Sequence, residues 1–292
     1  MSLMNENDQL ALVTCSYRPD FERCARLCAS IDTFISPEVA QFIVVPDRDR
    51  ALFAQLESSG RTVVSTEDVL PARFIQLPLF KKWWLDNAMW PVRGWMMQQI
   101  TKLCADVVTN CENIIFVDSD IEFIRPLQRE RFIREGALRL HRKPMHKSDG
   151  VHLSWHHGAA ELLDLNRQYF GSDYIAPLAT WRRSNLVQMK RHIEDCQQRP
   201  WHEAVGRRMT VSEYTLYGVF VEHVLGIEKS GHFQQADDLC HSLWFEDETE
   251  KFLAEFGESN CPQAVLLQSN IGMSQADVSS LMGQLRQNVV AS

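Results

Sequence analysis

Asn113-Ile114-Ile115-Phe116-Val117-Asp118-Ser119-Asp120 decides how this chain reads. A short apolar run ends in two carboxylates separated by one small residue. Such a run, bounded by turn-forming residues, predicts a fully buried strand over Asn113 to Val117. In an open α/β sheet, ligands bind outside the carboxyl ends of the strands. Two carboxylates this close repel each other and favour a cation between or beside them. A hard divalent ion uses one or two carboxylates and completes its shell with water and substrate phosphates. Ser119 is small enough to leave room for a ligand. A D-x-D triplet can also be a solvated turn, and the strand before it is what favours a site.

Upstream, Leu10 to Cys15 predicts a buried first strand that runs into the loop Thr14-Cys15-Ser16-Tyr17-Arg18. Asp20 can cap a helix that carries Cys24, Leu27, Cys28, Ile31, Phe34 and Ile35 at helical spacing. Gln41 to Val45 predicts a second strand, closed by Pro46-Asp47, and Asp49 to Ser58 a helix ended by Gly60. Thr62 to Ser65 and Arg73 to Leu77 predict short strands. Gly94 to Val108 predicts an amphipathic helix with Met97, Ile100, Cys104 and Val107 on one face. Trp95, Gln98, Lys102 and Asp106 share the opposite face, where a large aromatic such as Trp95 usually covers something. Strand and helix thus alternate over the first part of the chain, which predicts an α/β fold with a mainly parallel sheet and helices on both faces.

Downstream the pattern is more varied. Ala137 to His141, Val151 to Trp155 and Ala264 to Gln268 read as strands. Helices are predicted over Ser184 to Gln197, Ser212 to Leu225 and Glu248 to Phe256, ended in the last two cases by Gly226 and Gly257. A closing helix carries Val278, Leu281, Met282, Leu285 and Val289 in register.

The bulk numbers narrow the field. The 292 residues are 45% hydrophobic and 23% charged, ordinary for a globular domain. A net charge of −8 argues against a nonspecific nucleic-acid binder. Basic residues still cluster at Arg129-Arg131-Arg134, Arg142-Lys143-Lys147 and Arg182-Arg183, and such patches can meet phosphates on a small ligand. Met1 to Gln9 is polar and acidic, with no leader-like apolar segment, and no run of 18 apolar residues exists. The eight cysteines, including Cys261, form no C-x-x-C pair, and several fall on apolar helix faces. They are expected to be buried reduced thiols, and the protein is expected to be cytoplasmic.

The order of these features resembles the GT-A glycosyltransferases: a first strand with a Thr/Ser loop, a second strand ending in Pro-Asp, an amphipathic helix with a basic residue, then strand and D-x-D. The chain is similar in particular to bacterial families of that class without an assigned activity. The resemblance implies one GT-A-like domain over residues 1–292, Rossmann-like, with a mixed central sheet flanked by helices. Residues 10–125 would form its nucleotide-sugar half and 130–292 its acceptor half. It implies Mn²⁺ or Mg²⁺ as cofactor, a UDP- or GDP-sugar donor, and a carbohydrate or lipid-linked acceptor. Asp120 would be the main metal ligand, with Asp118 on the metal or the ribose. The loop from Thr14 through Ser16 would meet base and ribose, with Tyr17 stacking on the base and Arg18 on a phosphate; a plain turn before a helix explains it equally. Asp47 has the same two readings.

Five further groups complete the candidates. Arg93 and Lys102 flank the helix before the D-x-D strand and can reach phosphate oxygens, or simply face solvent. Ser212 and Glu213 suit a helix start. The resemblance adds a role for Glu213 as the base that takes the acceptor proton, with Tyr214 beside the sugar. His241 would be a third metal ligand, with His232 as its competitor. Trp181 and Arg182 can stack on sugars and pair with acids, or lie on a turn. The pair His152 and His156 is spaced i, i+4, which matters for metal only on a helix.

Two other functions use the same motif. In haloacid-dehalogenase-like phosphatases the first Asp is a nucleophile, but the motif lies near the N-terminus, whereas a long segment precedes it here. A sugar-nucleotide-binding module without transfer activity would keep fold and metal site but lack a productive acceptor site.

Overall fold

The computed structural model describes residues 9–77, 83–145, 150–208, 210–243, 248, 262–268 and 275–291. The expected helix over Glu248 to Phe256, apart from Glu248, lies outside the described residues, as do Cys261 and Lys147.

The central sheet is built from β1 (Leu10–Cys15), β2 (Ala40–Val45), β3 (Arg61–Ser65), β4 (Asn113–Phe116) and an edge strand at Thr180–Arg182. Among the described residues its order is edge strand, β4, β1, β2, β3. β4, β1, β2 and β3 run parallel, with Val13 opposite both Phe42 and Phe116, and the edge strand is antiparallel to β4. The mixed, parallel-rich sheet with helices on both faces is the expected α/β class.

Strand alternation explains the two layers. Leu10, Leu12, Ile115 and Val117 face one way and pack with Leu27 and Ile31 of α1 (Phe21–Phe34). Val13, Ile114 and Phe116 face the other way, onto Met96, Met97 and Ile100 of the helix at Gly94–Lys102. The short helix α2 (Asp47–Phe53) follows β2 and buries Phe53 against Ile43 and Val63. We label the helix at Gly94–Lys102 α3.

The stripe expected along Gly94 to Val108 is only half present. The helix breaks at Leu103–Cys104 and resumes at Ala105–Val108. The break turns Val107 out, 59% exposed, while Met96 and Gln99 join the buried side.

The larger correction concerns Val151 to Trp155. This stretch belongs to a helix, α4 (Gly150–Leu162), not to a strand. The alternation of His152-Leu153-Ser154-Trp155 imitates a strand, but Gly158, Ala159 and Ala160 beyond it are small buried residues that let this helix pack closely on a later one, at Glu213–Val219. Before that comes α5 (Arg183–Gln197), and α6 spans Glu213–Val219, followed by a π-helical turn over Phe220–Leu225. The i, i+4 pair His152 and His156 is therefore on a helix. His156 is nevertheless buried among Tyr169, Phe170 and Tyr174, and burial lowers its pKa to about 4, so it is a neutral packing group.

A smaller sheet begins directly after the D-x-D. Ile121–Phe123 pairs antiparallel with Ala264–Leu267, which pairs parallel with Cys240–Leu243. The closing helix α7 (Gln275–Ala291) buries Val278, Leu281, Met282 and Leu285 against Val265, Leu267 and Leu243. Buried Glu122 fastens the two layers, taking Arg26 of α1 at 2.9 Å and Arg286 of α7 at 3.2 Å. No helix among the described residues is long and apolar enough to cross a membrane.

Gly158 permits the α4 contact, because a Cβ there would strike the Thr210 carbonyl oxygen and the Val211 side chain. Alanine normally favours a helix interior by roughly 1 kcal/mol over glycine. Here Gly158→Ala should instead destabilise the protein by about 1–3 kcal/mol in urea unfolding, since backbone must shift to admit the methyl. A stabilised variant would contradict this packing.

Candidate active site

β1, β2 and β4 end at the same edge of the sheet, so their following loops converge. Parallel pairing does this directly: Cys15 lies opposite Val44, and the Val117 N–H bonds to the Val13 carbonyl at 3.0 Å. Asp118-Ser119-Asp120 forms the turn after β4, closed by Ile121 N–H to the Asp118 carbonyl at 3.1 Å. The Asp120 carbonyl accepts Leu267 N–H at 2.9 Å, which ties the turn to the smaller sheet. Ser16 Oγ lies 3.3 Å from Ser119 Oγ, joining the β1 loop to the D-x-D turn.

Lys102, at the end of α3, is the centre of the charge arrangement. Its Nζ lies 3.3 Å from Asp118 Oδ1, 3.3 Å from Glu213 Oε1 and 2.8 Å from the Tyr214 hydroxyl. Burial pushes its pKa down, but Asp118, Tyr214 and Glu213 outweigh that and hold it well above the ordinary lysine range. Of the two alternatives for this residue, the solvated helix face is thus set aside. Glu213 and Tyr214 are presented by the start of α6, where Ser212 Oγ accepts Thr215 N–H at 3.4 Å. Gln99 Oε1 accepts Glu213 N–H at 2.9 Å, so α3 also caps α6.

Asp120 is held differently. Burial, and then the charge of Asp118, raise its pKa to about 6, against a smaller opposing pull from Arg23. Asp118 and Glu213 share the ammonium of Lys102, and Asp120 adds a further carboxylate beside Asp118, which leaves negative charge in excess at the turn. That excess, on hard oxygen donors, suits one divalent cation. Among the described residues no three His, Cys, Asp or Glu side chains converge as a ready-made metal set. A cation here would thus depend on water and ligand oxygens for the rest of its shell.

The other expected residues distribute as follows. Thr14 is buried within β1, its hydroxyl without a hydrogen-bond partner. Tyr17 is 42% exposed at the mouth of the loop. Arg18 is exposed, and its backbone N–H and Nε bond to Asp49 at 3.0 and 3.3 Å. Asp49 is buried, whereas Asp47 is exposed and opens α2, its N–H donating to Glu67 at 2.8 Å. Asp49 was not singled out from sequence; the only signal was its position two residues beyond Asp47, about half a turn around α2. Arg93 is exposed immediately before α3.

Two expected residues, Trp181 and Arg182, stand away from the carboxylates. Trp181 is a core residue, 4.4 Å from Phe116 and stacked on Tyr217 at 4.9 Å between ring centroids. Arg182 pairs with Asn113 at the opposite end of β4 from Asp118 and is bound by Glu112 at 2.9 Å. His241 alternates with Cys240 along its strand and shares the face of Leu243, which packs toward α7. Cys240 is on the other face and feels the charge of Asp120. His232 is buried and neutral, its pKa lowered to about 4 by burial, with Tyr217 OH at 2.8 Å and the Leu138 carbonyl at 3.0 Å. Several of the basic clusters are matched locally: Arg131 by Asp237, Arg142 by Glu222 and Lys143 by Asp238.

The elevated Asp120 carboxyl has a measurable sign. Its folded value of about 6 lies above the ordinary aspartate value near 4, so the ionised group costs the fold stability above pH 6 and nothing below about pH 4. In chelator-treated protein, Asp120→Asn should therefore raise stability at pH 7.5, by at most ~2 kcal/mol given partial exposure. The gain should shrink through pH 6 and vanish near pH 4. Thermal melts across that range read it directly, and a pH-independent difference would show that Asp120 is not strained by charge.

No curated protein matches the chain. Among solved structures it is similar to a galactosyltransferase, LgtC, in complex with donor and acceptor sugar analogues, at 11% identity over 94% of this chain and 95% of that one, TM-score 0.46. It is also similar to mouse xyloside xylosyltransferase 1, apo form, at 10% identity over 91% of this chain and 99% of that one, TM-score 0.48. Residues 10–289 match a family described as "Family of unknown function (DUF6492)", and that span, nearly the whole chain, makes this protein a member of the DUF6492 family.

Proposed function

We propose that this chain is a metal-dependent glycosyltransferase that moves a sugar from a UDP- or GDP-sugar to a hydroxyl of a carbohydrate or lipid-linked acceptor. The observation that carries the reading is the carboxylate pair Asp118 and Asp120, only the first of which meets Lys102, on a turn at the carboxyl edge of a parallel sheet. Asp118 and Asp120 would hold Mn²⁺ or Mg²⁺, which supplies positive charge for a diphosphate leaving group. Tyr17 and Arg18 flank the same edge, where an exposed ring can stack on a base and a guanidinium can take a phosphate. Ser16 and Ser119 fix the two loops against each other.

Thermal stabilisation by UDP and GDP, with and without Mn²⁺, tests this. A ligand at ~100-fold excess over its Kd adds about 2.7 kcal/mol, easily read as a melting shift. The shift should require Mn²⁺ and disappear in Asp120→Ala, whose fold should survive. No Mn²⁺-dependent shift with either nucleotide would overturn the reading, and phosphate release from simple phosphomonoesters would replace it with a phosphatase.

Glu213 takes a different role from the one its place in the chain implied. Its carboxylate is buried and lies 3.3 Å from Lys102 Nζ, the place of a counter-charge. In this reading Glu213 holds Lys102 beside Asp118, where the ammonium can meet a donor phosphate. Glu213→Gln should then weaken Mn²⁺-dependent UDP or GDP binding by about tenfold, the size of losing one charge-assisted contact. Unchanged nucleotide affinity with turnover lowered ~10²–10⁴-fold would instead make Glu213 the base.

A further inference from the structure

The exposed face of α3 leads from solvent into the carboxylate site. Trp95, Gln98 and Lys102 recur at three- and four-residue spacing and so share one face. Trp95 is 43% exposed, Gln98 is exposed, and Lys102 is buried at Asp118. At 1.5 Å per residue, Trp95 stands about 10 Å along the helix from Lys102. Its ring lies beside that of Trp155 from α4, with centroids 6.3 Å apart and planes 25° from parallel. His152 meets Trp155 edge-on, with ring centroids 4.9 Å apart. The Trp155 indole N–H is buried and finds no hydrogen-bond partner.

An exposed tryptophan, held flat by a second ring and followed by an amide, has a specific complement. Pyranose rings carry an apolar C–H face and a rim of hydroxyls. The first suits the aromatic face, and the second suits the exposed amide of Gln98. A purely apolar partner would cover Gln98 and leave it unsatisfied. The helix face also runs directly to the charged site, so a sugar seated there has a short path to it.

We propose that Trp95 and Trp155 form a stacking platform for a pyranose ring of the acceptor saccharide, entering along α3 toward Lys102 and Asp118. This rests on the glycosyltransferase reading, and it moves the acceptor wall from Trp181, which is core, to a pair of rings on α3 and α4.

The test uses the full chain and three probes: the methyl β-glycosides of glucose, galactose and N-acetylglucosamine. Saturation-transfer NMR at roughly 10 mM detects millimolar binding. At least one glycoside should give a ring-proton signal with the wild-type protein. That signal should fall about fivefold or more in Trp95→Ala and persist in Trp95→Phe, which keeps a ring. No signal from any of the three, or a signal unchanged in Trp95→Ala, overturns the platform. Mn²⁺-dependent UDP and GDP affinity, measured by calorimetry on the same proteins, should be equal in wild type and Trp95→Ala. Nucleotide binding absent from the wild type would sink the glycosyltransferase reading while leaving the NMR result to judge the platform. Nucleotide binding lost only in Trp95→Ala would overturn the platform as an acceptor element.

Discussion

One buried ammonium organises this protein. Lys102 leaves water at the end of α3 and is repaid by Asp118, Glu213 and the Tyr214 hydroxyl, each within hydrogen-bonding or ion-pairing distance. A buried charge is tolerated only when paired and hydrogen-bonded. The three partners come from two places in the chain, the turn after β4 and the start of α6. Satisfying Lys102 therefore fixes both against α3. The same requirement sets the electrostatics of the site, because Lys102 is shared between Asp118 and Glu213 while burial and Asp118 raise the Asp120 carboxyl.

How much of this was legible in the sequence depends on the range of the interaction. The strand into Asp118-Ser119-Asp120 was readable because an apolar run followed by paired acids is a local pattern. β1, β2 and their loops were readable for the same reason. Val151 to Trp155 misled because five alternating residues fit a strand, and only Gly158, Ala159 and Ala160 beyond them mark a close helix contact. The α3 stripe ran too far because nothing local announces a break at Leu103–Cys104. Lys102 was the hardest residue to place. A lone lysine on a polar helix face belongs in water unless its partners are known, and two of them, Glu213 and Tyr214, lie more than a hundred residues away.

Trp181 and Trp95 invert what their neighbours imply. Trp181 sits beside two arginines and looks like a surface residue, yet the edge strand lays it on Phe116 and Tyr217. Trp95 lies inside an amphipathic helix and yet remains in solvent, held by a ring from a different helix. In each case the deciding partner is distant in the chain. The acids behave likewise: Asp47 and Asp49 are two residues apart, but the turn of α2 exposes one and buries the other against Arg18.

The order of the central sheet also governs when the molecule can become competent during its own assembly. β1, β2 and β3 are neighbours in sequence and can pair as soon as they exist. β4 must insert beside β1 from the far side, and Ser16 and Ser119, the contact that joins their loops, are 103 residues apart. Lys102 must then wait for Tyr214, another 112 residues away, before its charge is settled. Contacts of such long range are slow to form. On a nascent chain emerging from its N-terminus, β1 to β3 precede the residues that complete the charged cluster, so the scaffold for the loops is laid down first and the lysine is locked last. Until α6 arrives, the lysine at the end of α3 has only Asp118 to meet it, and Glu213 and Tyr214 complete its shell last.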